Sequence, residues 1–140
     1  MEQVDYEDEL TYHNHQQDGT EAQFHEAFEA AVDSVESDLG DTHPLRIDGE
    51  AVSTDDSFVV TSPGDFDLEI GEFHAGEAAE VEAAVDAASA AQPDWEAMDP
   101  ASRTEIFTTA AELLRDRKYE FAAALSLENG KNRTEAMADV

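Results

Sequence analysis

Apolar positions along this chain follow two kinds of period, and the change between them marks out its elements. Between residues 20 and 39, Phe24, Phe28, Ala31, Val32, Val35 and Leu39 recur at three- and four-residue steps. That spacing gathers side chains on one face of a helix. Gly40 stops it. Pro44 then introduces LRIDGEAV, in which Asp48-Gly49 separates two short apolar pieces. A two-residue Asp-Gly loop predicts a hairpin, because glycine accepts the positive φ that such a turn requires. SFVVTSP and DLEIGEF read as two further short strands joined at Pro63-Gly64-Asp65.

The helical period returns at Glu77. Val81, Ala84, Val85 and Ala88 predict a helix to about Ala91, which Gln92-Pro93 ends. Asp99-Pro100 opens the next, with aspartate as N-cap and proline at the first helical position. Ile106, Phe107, Ala110, Leu113 and Leu114 form its face. The pattern continues through Tyr119, Phe121, Ala122, Leu125 and Leu127, so a helix is expected over 100–128. Gly130 after Asn129 suits a left-handed cap. Behind it Thr134, Met137 and Ala138 begin another helical face. Residues 1–19 are polar and without period, and read as a flexible acidic arm. The expected architecture is α+β as the chain stands.

Charge changes the picture. There are 35 acidic and 7 basic residues, a net charge of −28, and no lysine or arginine precedes Arg46. The acids are interleaved with apolar positions, as in FHEAFEAAVDSVESDL, which implies a uniformly acidic surface on an ordinary fold. The composition resembles that of cytoplasmic proteins from salt-loving archaea. Nucleic acid and anionic membranes are unsuitable partners, because no basic patch exists to neutralise phosphates. No apolar run approaches the ~20 residues of a membrane span, and MEQVDYEDEL lacks a basic segment followed by an apolar one. A soluble, cytoplasmic protein is expected. Much of the apolar surface beyond residue 77 is alanine, which favours helix but offers little area to bury. Such helices call for a partner surface.

Candidate chemistry is sparse. Without cysteine, the chain has no disulfide, no thiol nucleophile and no cysteine-bound zinc. His13 and His15 are two residues apart, but a metal site needs three or four fixed ligands, and a solvated segment is the simpler reading. His25, His43 and His74 are scattered. Paired carboxylates occur everywhere in so acidic a chain and single out no pair. No glycine-rich phosphate loop or nucleophile elbow is present. Trp95, between two helix signals, reads as packing. No complete active site is contained in these residues.

The order of the pieces is more informative than any one of them. IDGEAV, SPGDFDLEIGEF, VEAAVDAASAAQPDWEAMD, RTEIFTTAAELLRDRKYEFAAALSLENGK and GKNRTEA follow one another. The series resembles the start of the aldehyde dehydrogenase superfamily. The departures are Ser62, where asparagine is usual before Pro63, and Asn132, where proline usually follows the Gly-Lys pair. The helix over 20–39, HPLRIDGE and GKNRTEAMADV are similar to the 1-pyrroline-5-carboxylate dehydrogenase branch, also called L-glutamate γ-semialdehyde dehydrogenases.

That resemblance implies an α/β fold whose amino-terminal helix, short strands and several helices precede a Rossmann-like sheet. It divides the chain into the arm at 1–19, a helical extension at 20–43 and, over 44–140, the first part of the aldehyde dehydrogenase domain. The chain then looks like an amino-terminal fragment, with the family's catalytic cysteine, general-base glutamate and oxyanion asparagine downstream. Lys131 and Arg133 would open a helix of the larger enzyme. The implied reaction is NAD-dependent oxidation of glutamate γ-semialdehyde, a small-molecule aldehyde, to glutamate in proline catabolism, by an enzyme that is a homo-oligomer at full length. NAD would not be bound by these residues alone. A monovalent cation is also implied, held by the main-chain carbonyls of Val60 and Glu128. The alternatives are another aldehyde dehydrogenase, such as a succinate-semialdehyde enzyme, or a freestanding acidic interaction module.

The charge carries a direct expectation. In about 1 M salt the Debye length falls to ~3 Å, against ~10 Å at 0.1 M, so repulsion among the acidic side chains is screened. Circular dichroism across a sodium chloride series should show helicity rising with salt. A cooperative and highly stable transition in low-salt buffer would contradict this.

Overall fold

A computed structural model describes residues 12–140. The first eleven positions of the predicted arm lie outside the described residues, and the rest of it departs from expectation. Tyr12–Asp18 form a helix, α1, in which His15 is buried. The apolar pattern misses it because its anchors are Tyr12 and His15, whose rings pack on Phe24 at centroid distances of 5.0 and 5.4 Å. The predicted amphipathic helix is α2, Glu21–Glu36. Gly40 follows it with φ +86°.

Five short strands come next: β1 (Thr42–His43), β2 (Leu45–Ile47), β3 (Glu50–Val52), β4 (Ser57–Thr61) and β5 (Glu69–His74). The hairpin β2–β3 closes with Ile47 opposite Glu50. Asp48 and Gly49 both take positive φ, 52° and 78°, the conformation whose twist matches that of the strands. β4 and β5 pair antiparallel, with a register shift between Val60 and Thr61. β1 then adds in parallel on the other side of β5, giving the order β1-β5-β4. Glu72 on the central strand ties the three together. Its carboxylate accepts hydrogen bonds from the Ser57 hydroxyl of β4 and, at 3.3 Å, from Thr42 Oγ1 of β1. Those donations, Ser57 first, hold its pKa below the ordinary glutamate value.

The carboxyl-terminal half is helical: α3 (Ala78–Ala97), α4 (Pro100–Asp116), α5 (Lys118–Asn129) and α6 (Arg133–Asp139). Two expectations fail here. α3 does not end at Gln92-Pro93 but runs through Pro93 to Ala97. Proline removes one hydrogen bond, to the Ser89 carbonyl; Ser89 is exposed, so water can satisfy that group, and the flanking alanines favour helix. The helix expected over 100–128 is two helices, parted at Arg117, whose backbone (φ −108°, ψ 17°) leaves the helical region. The Arg117 guanidinium pairs with Glu120 and lies 5.1 Å from the Phe121 ring centroid, which braces the break. The break lets α5 turn its alanine face toward α2. At the start of α4, Asp99 caps as predicted, accepting from the Ala101 and Ser102 amides at 3.0 and 3.1 Å. Its pKa is lowered by the Ser102 hydroxyl and then by these amides.

The core sits between α2, α5 and α6. Phe24 and Phe28 are fully buried against Ala122, Ala136 and Met137, with Tyr12, Val32, Tyr119 and Leu125 around them. Alanine on the facing helices leaves room for two phenylalanines on the third, each of which gains ~1.5–3 kcal/mol on burial. α3 and α4 contribute nothing buried. Phe107 is 65% and Leu113 59% exposed. Trp95 is half-buried and meets Phe107 edge to face, at 6.1 Å between centroids. It links α3 to α4 without forming a core. Among the described residues no helix is long and apolar enough to cross a membrane.

Phe24→Ala should cost about 3–5 kcal/mol, a large share of the marginal stability usual for a domain. Chemical denaturation in high salt measures it. Because Phe107 is exposed, Phe107→Ala should shift the midpoint far less, and equal effects would misplace the core.

Candidate functional site

The residues with an expected site role lie on β4 and α5, the two elements whose ends lead to the contact between Pro63 and Gly130. Val60 is half-buried on β4, paired with Gly71 beside the register shift. Glu128 is exposed in the last turn of α5. What joins these two segments is the close approach of the Pro63 ring to the Gly130 backbone. Gly130 caps α5 in the left-handed region (φ +69°), and its amide donates to the Ser126 carbonyl at 3.0 Å. A Cβ at Gly130 would lie 3.0 Å from Pro63 Cγ. Glycine is therefore required twice, for its torsion and for its size.

The turn is internally braced. Ser62 is buried, its amide donates to the Leu68 carbonyl at 2.9 Å, and its hydroxyl accepts the Gly64 amide at 3.3 Å. Asp65 continues the brace by accepting the Asp67 amide at 3.0 Å. Serine thus performs the local side-chain-to-backbone bonding that asparagine also supplies in turns. Asn132, the second departure from the family pattern, is the N-cap of α6; its side-chain oxygen accepts the Glu135 amide at 3.0 Å. A helix C-terminus presents main-chain carbonyls with partial negative charge, suited to a cation.

The histidines do not converge on a metal. His13 Nε2 lies 2.8 Å from Gln17 Nε2. His15 lies 2.8 Å from the Thr20 hydroxyl through Nδ1 and 3.3 Å from the Tyr119 hydroxyl through Nε2. It is a buried link between α1 and α5, and burial raises the pKa of Tyr119. His43 stacks on Phe73, and His74 Nδ1 lies 2.9 Å from the Thr54 carbonyl. Among the described residues no group of three or more histidine, aspartate or glutamate side chains is placed to hold a metal ion.

Lys131 and Arg133 both have acidic partners. Lys131 pairs with Asp139 within the same carboxyl-terminal segment. Arg133 reaches across to α2, pairing with Glu29 and lying 5.4 Å from the Phe28 ring centroid. Sequence reading missed this clamp and the His15–Tyr119 contact. Both join residues more than a hundred positions apart, and periodicity carries no signal for such pairs.

Residues 51–140 match the model of the aldehyde dehydrogenase family. The chain is 41% identical over 113 residues to 1-pyrroline-5-carboxylate dehydrogenase 2 of Halalkalibacterium halodurans, and 38% identical over 113 residues to the Bacillus pumilus 1-pyrroline-5-carboxylate dehydrogenase. Each match covers 81% of this chain and 22% of the relative, so the chain spans about a fifth of the length of these proteins. A variant of the Thermus thermophilus 1-pyrroline-5-carboxylate dehydrogenase superposes with a TM-score of 0.79 at 36% identity, over 82% of this chain and 22% of that one. The Mycobacterium tuberculosis enzyme bound with NAD and cobalamin gives 0.76 at 26%, over 82% and 21%. The chain belongs to the aldehyde dehydrogenase family. Within it, it is similar to 1-pyrroline-5-carboxylate dehydrogenases, and its architecture matches the amino-terminal part of their fold.

Gly130→Ala should destabilise the chain by more than the ~1–2 kcal/mol of left-handed strain, because the new methyl meets Pro63. Gly19 has a similar φ, +67°, with open space around it, so Gly19→Ala measures the strain alone. Equal losses in chemical denaturation would show that the Pro63 contact is unimportant.

Proposed function

We propose that this chain supplies the amino-terminal part of an NAD-dependent dehydrogenase that oxidises L-glutamate γ-semialdehyde, formed from 1-pyrroline-5-carboxylate, to L-glutamate. The observation that carries the reading is likeness to proteins named 1-pyrroline-5-carboxylate dehydrogenase, at 41% identity to one and a TM-score of 0.79 with another. The residues present hold and position; they do not perform the oxidation. Attack on an aldehyde by a thiolate needs a cysteine, and the chain has none. The nicotinamide cofactor would be bound by residues outside this chain, as would the substrate. We extend the proposal to a homo-oligomeric enzyme.

The coding DNA beyond codon 140 tests the reading, together with the protein it encodes. An in-frame continuation carrying a cysteine is expected. Its full-length product should reduce NAD when given 1-pyrroline-5-carboxylate, while residues 1–140 alone should not. A stop codon with no related sequence beyond, or a full-length product active on succinate semialdehyde but not on 1-pyrroline-5-carboxylate, would overturn it.

A monovalent cation at the Val60 and Glu128 carbonyls is part of the same proposal. It is supported by the approach of Gly130 to Pro63, which draws the end of α5 to the turn behind β4. Main-chain oxygens suit a hard cation of low charge, and carbonyl ligands cannot be removed by side-chain substitution. The test therefore varies the ion. At equal ionic strength, the thermal midpoint of the full-length enzyme should be higher in potassium or sodium chloride than in choline chloride. Identical midpoints would rule out a bound cation that contributes to stability.

A further inference from the structure

We draw no further inference here: the strongest candidate, the apolar face that Val81 and Val85 of α3 and Ile106, Phe107, Leu113 and Leu114 of α4 leave exposed, carries nothing because nothing in the structure shows what covers it.

Discussion

The packing of Phe24 and Phe28 into the alanine faces of α5 and α6 is the contact on which the rest of the chain depends. It is a long-range contact, made between residues near the beginning of the described chain and residues near its end. Large rings on one helix and Ala122 and Ala136 on the others make complementary shapes, so the three helices pack closely around the two phenylalanines. The same contact brings α6 within reach of α2, where Arg133 lies over Phe28 and pairs with Glu29. That ion pair is partly exposed, and pairs of this kind contribute at most ~1 kcal/mol. The aromatic rings supply the larger part of the attachment, and the arginine orients it.

From this core the structure becomes progressively less self-contained. The sheet is small and held partly by polar contacts, as at Glu72 with Ser57 and Thr42. Beyond it, α3 and α4 are well-formed helices by local chemistry, with the capping box at Glu77 and the Asp99 cap, yet bury nothing. Local propensity makes a helix, and tertiary burial gives it most of its stability. On a chain of net charge −28, helices with no buried anchor are also those on which mutual repulsion of acidic side chains is least opposed.

How much of this was legible depended on the range of each interaction. The β2–β3 hairpin, the Asp99 cap and the Gly130 cap were readable because each depends on two or three neighbouring residues. The place of Phe24 and Phe28 on one helical face was readable from period alone. The helix at Tyr12–Asp18 was not, since it is held by His15 against Thr20 and Tyr119 rather than by an apolar stripe. Pro93 misled because its usual effect is to end a helix, whereas here an exposed carbonyl makes the lost bond cheap. The parallel pairing of β1 with β5 spans some thirty residues and leaves no local mark. At the candidate cation site, Val60 and Glu128 came from family resemblance; the Gly130–Pro63 approach that draws their segments together is visible only in three dimensions.

α2, α5 and α6 pack as one unit around the two phenylalanines, with α3 and α4 outside it, and should therefore open together. Native-state hydrogen exchange in high salt reads the opening free energy amide by amide and so distinguishes the two groups of helices. The amides within α2 and α5 should share the highest protection, with those of α3 and α4 exchanging much faster. Protection in α3 and α4 equal to that in α5, or rapid independent exchange of α2, would contradict the account.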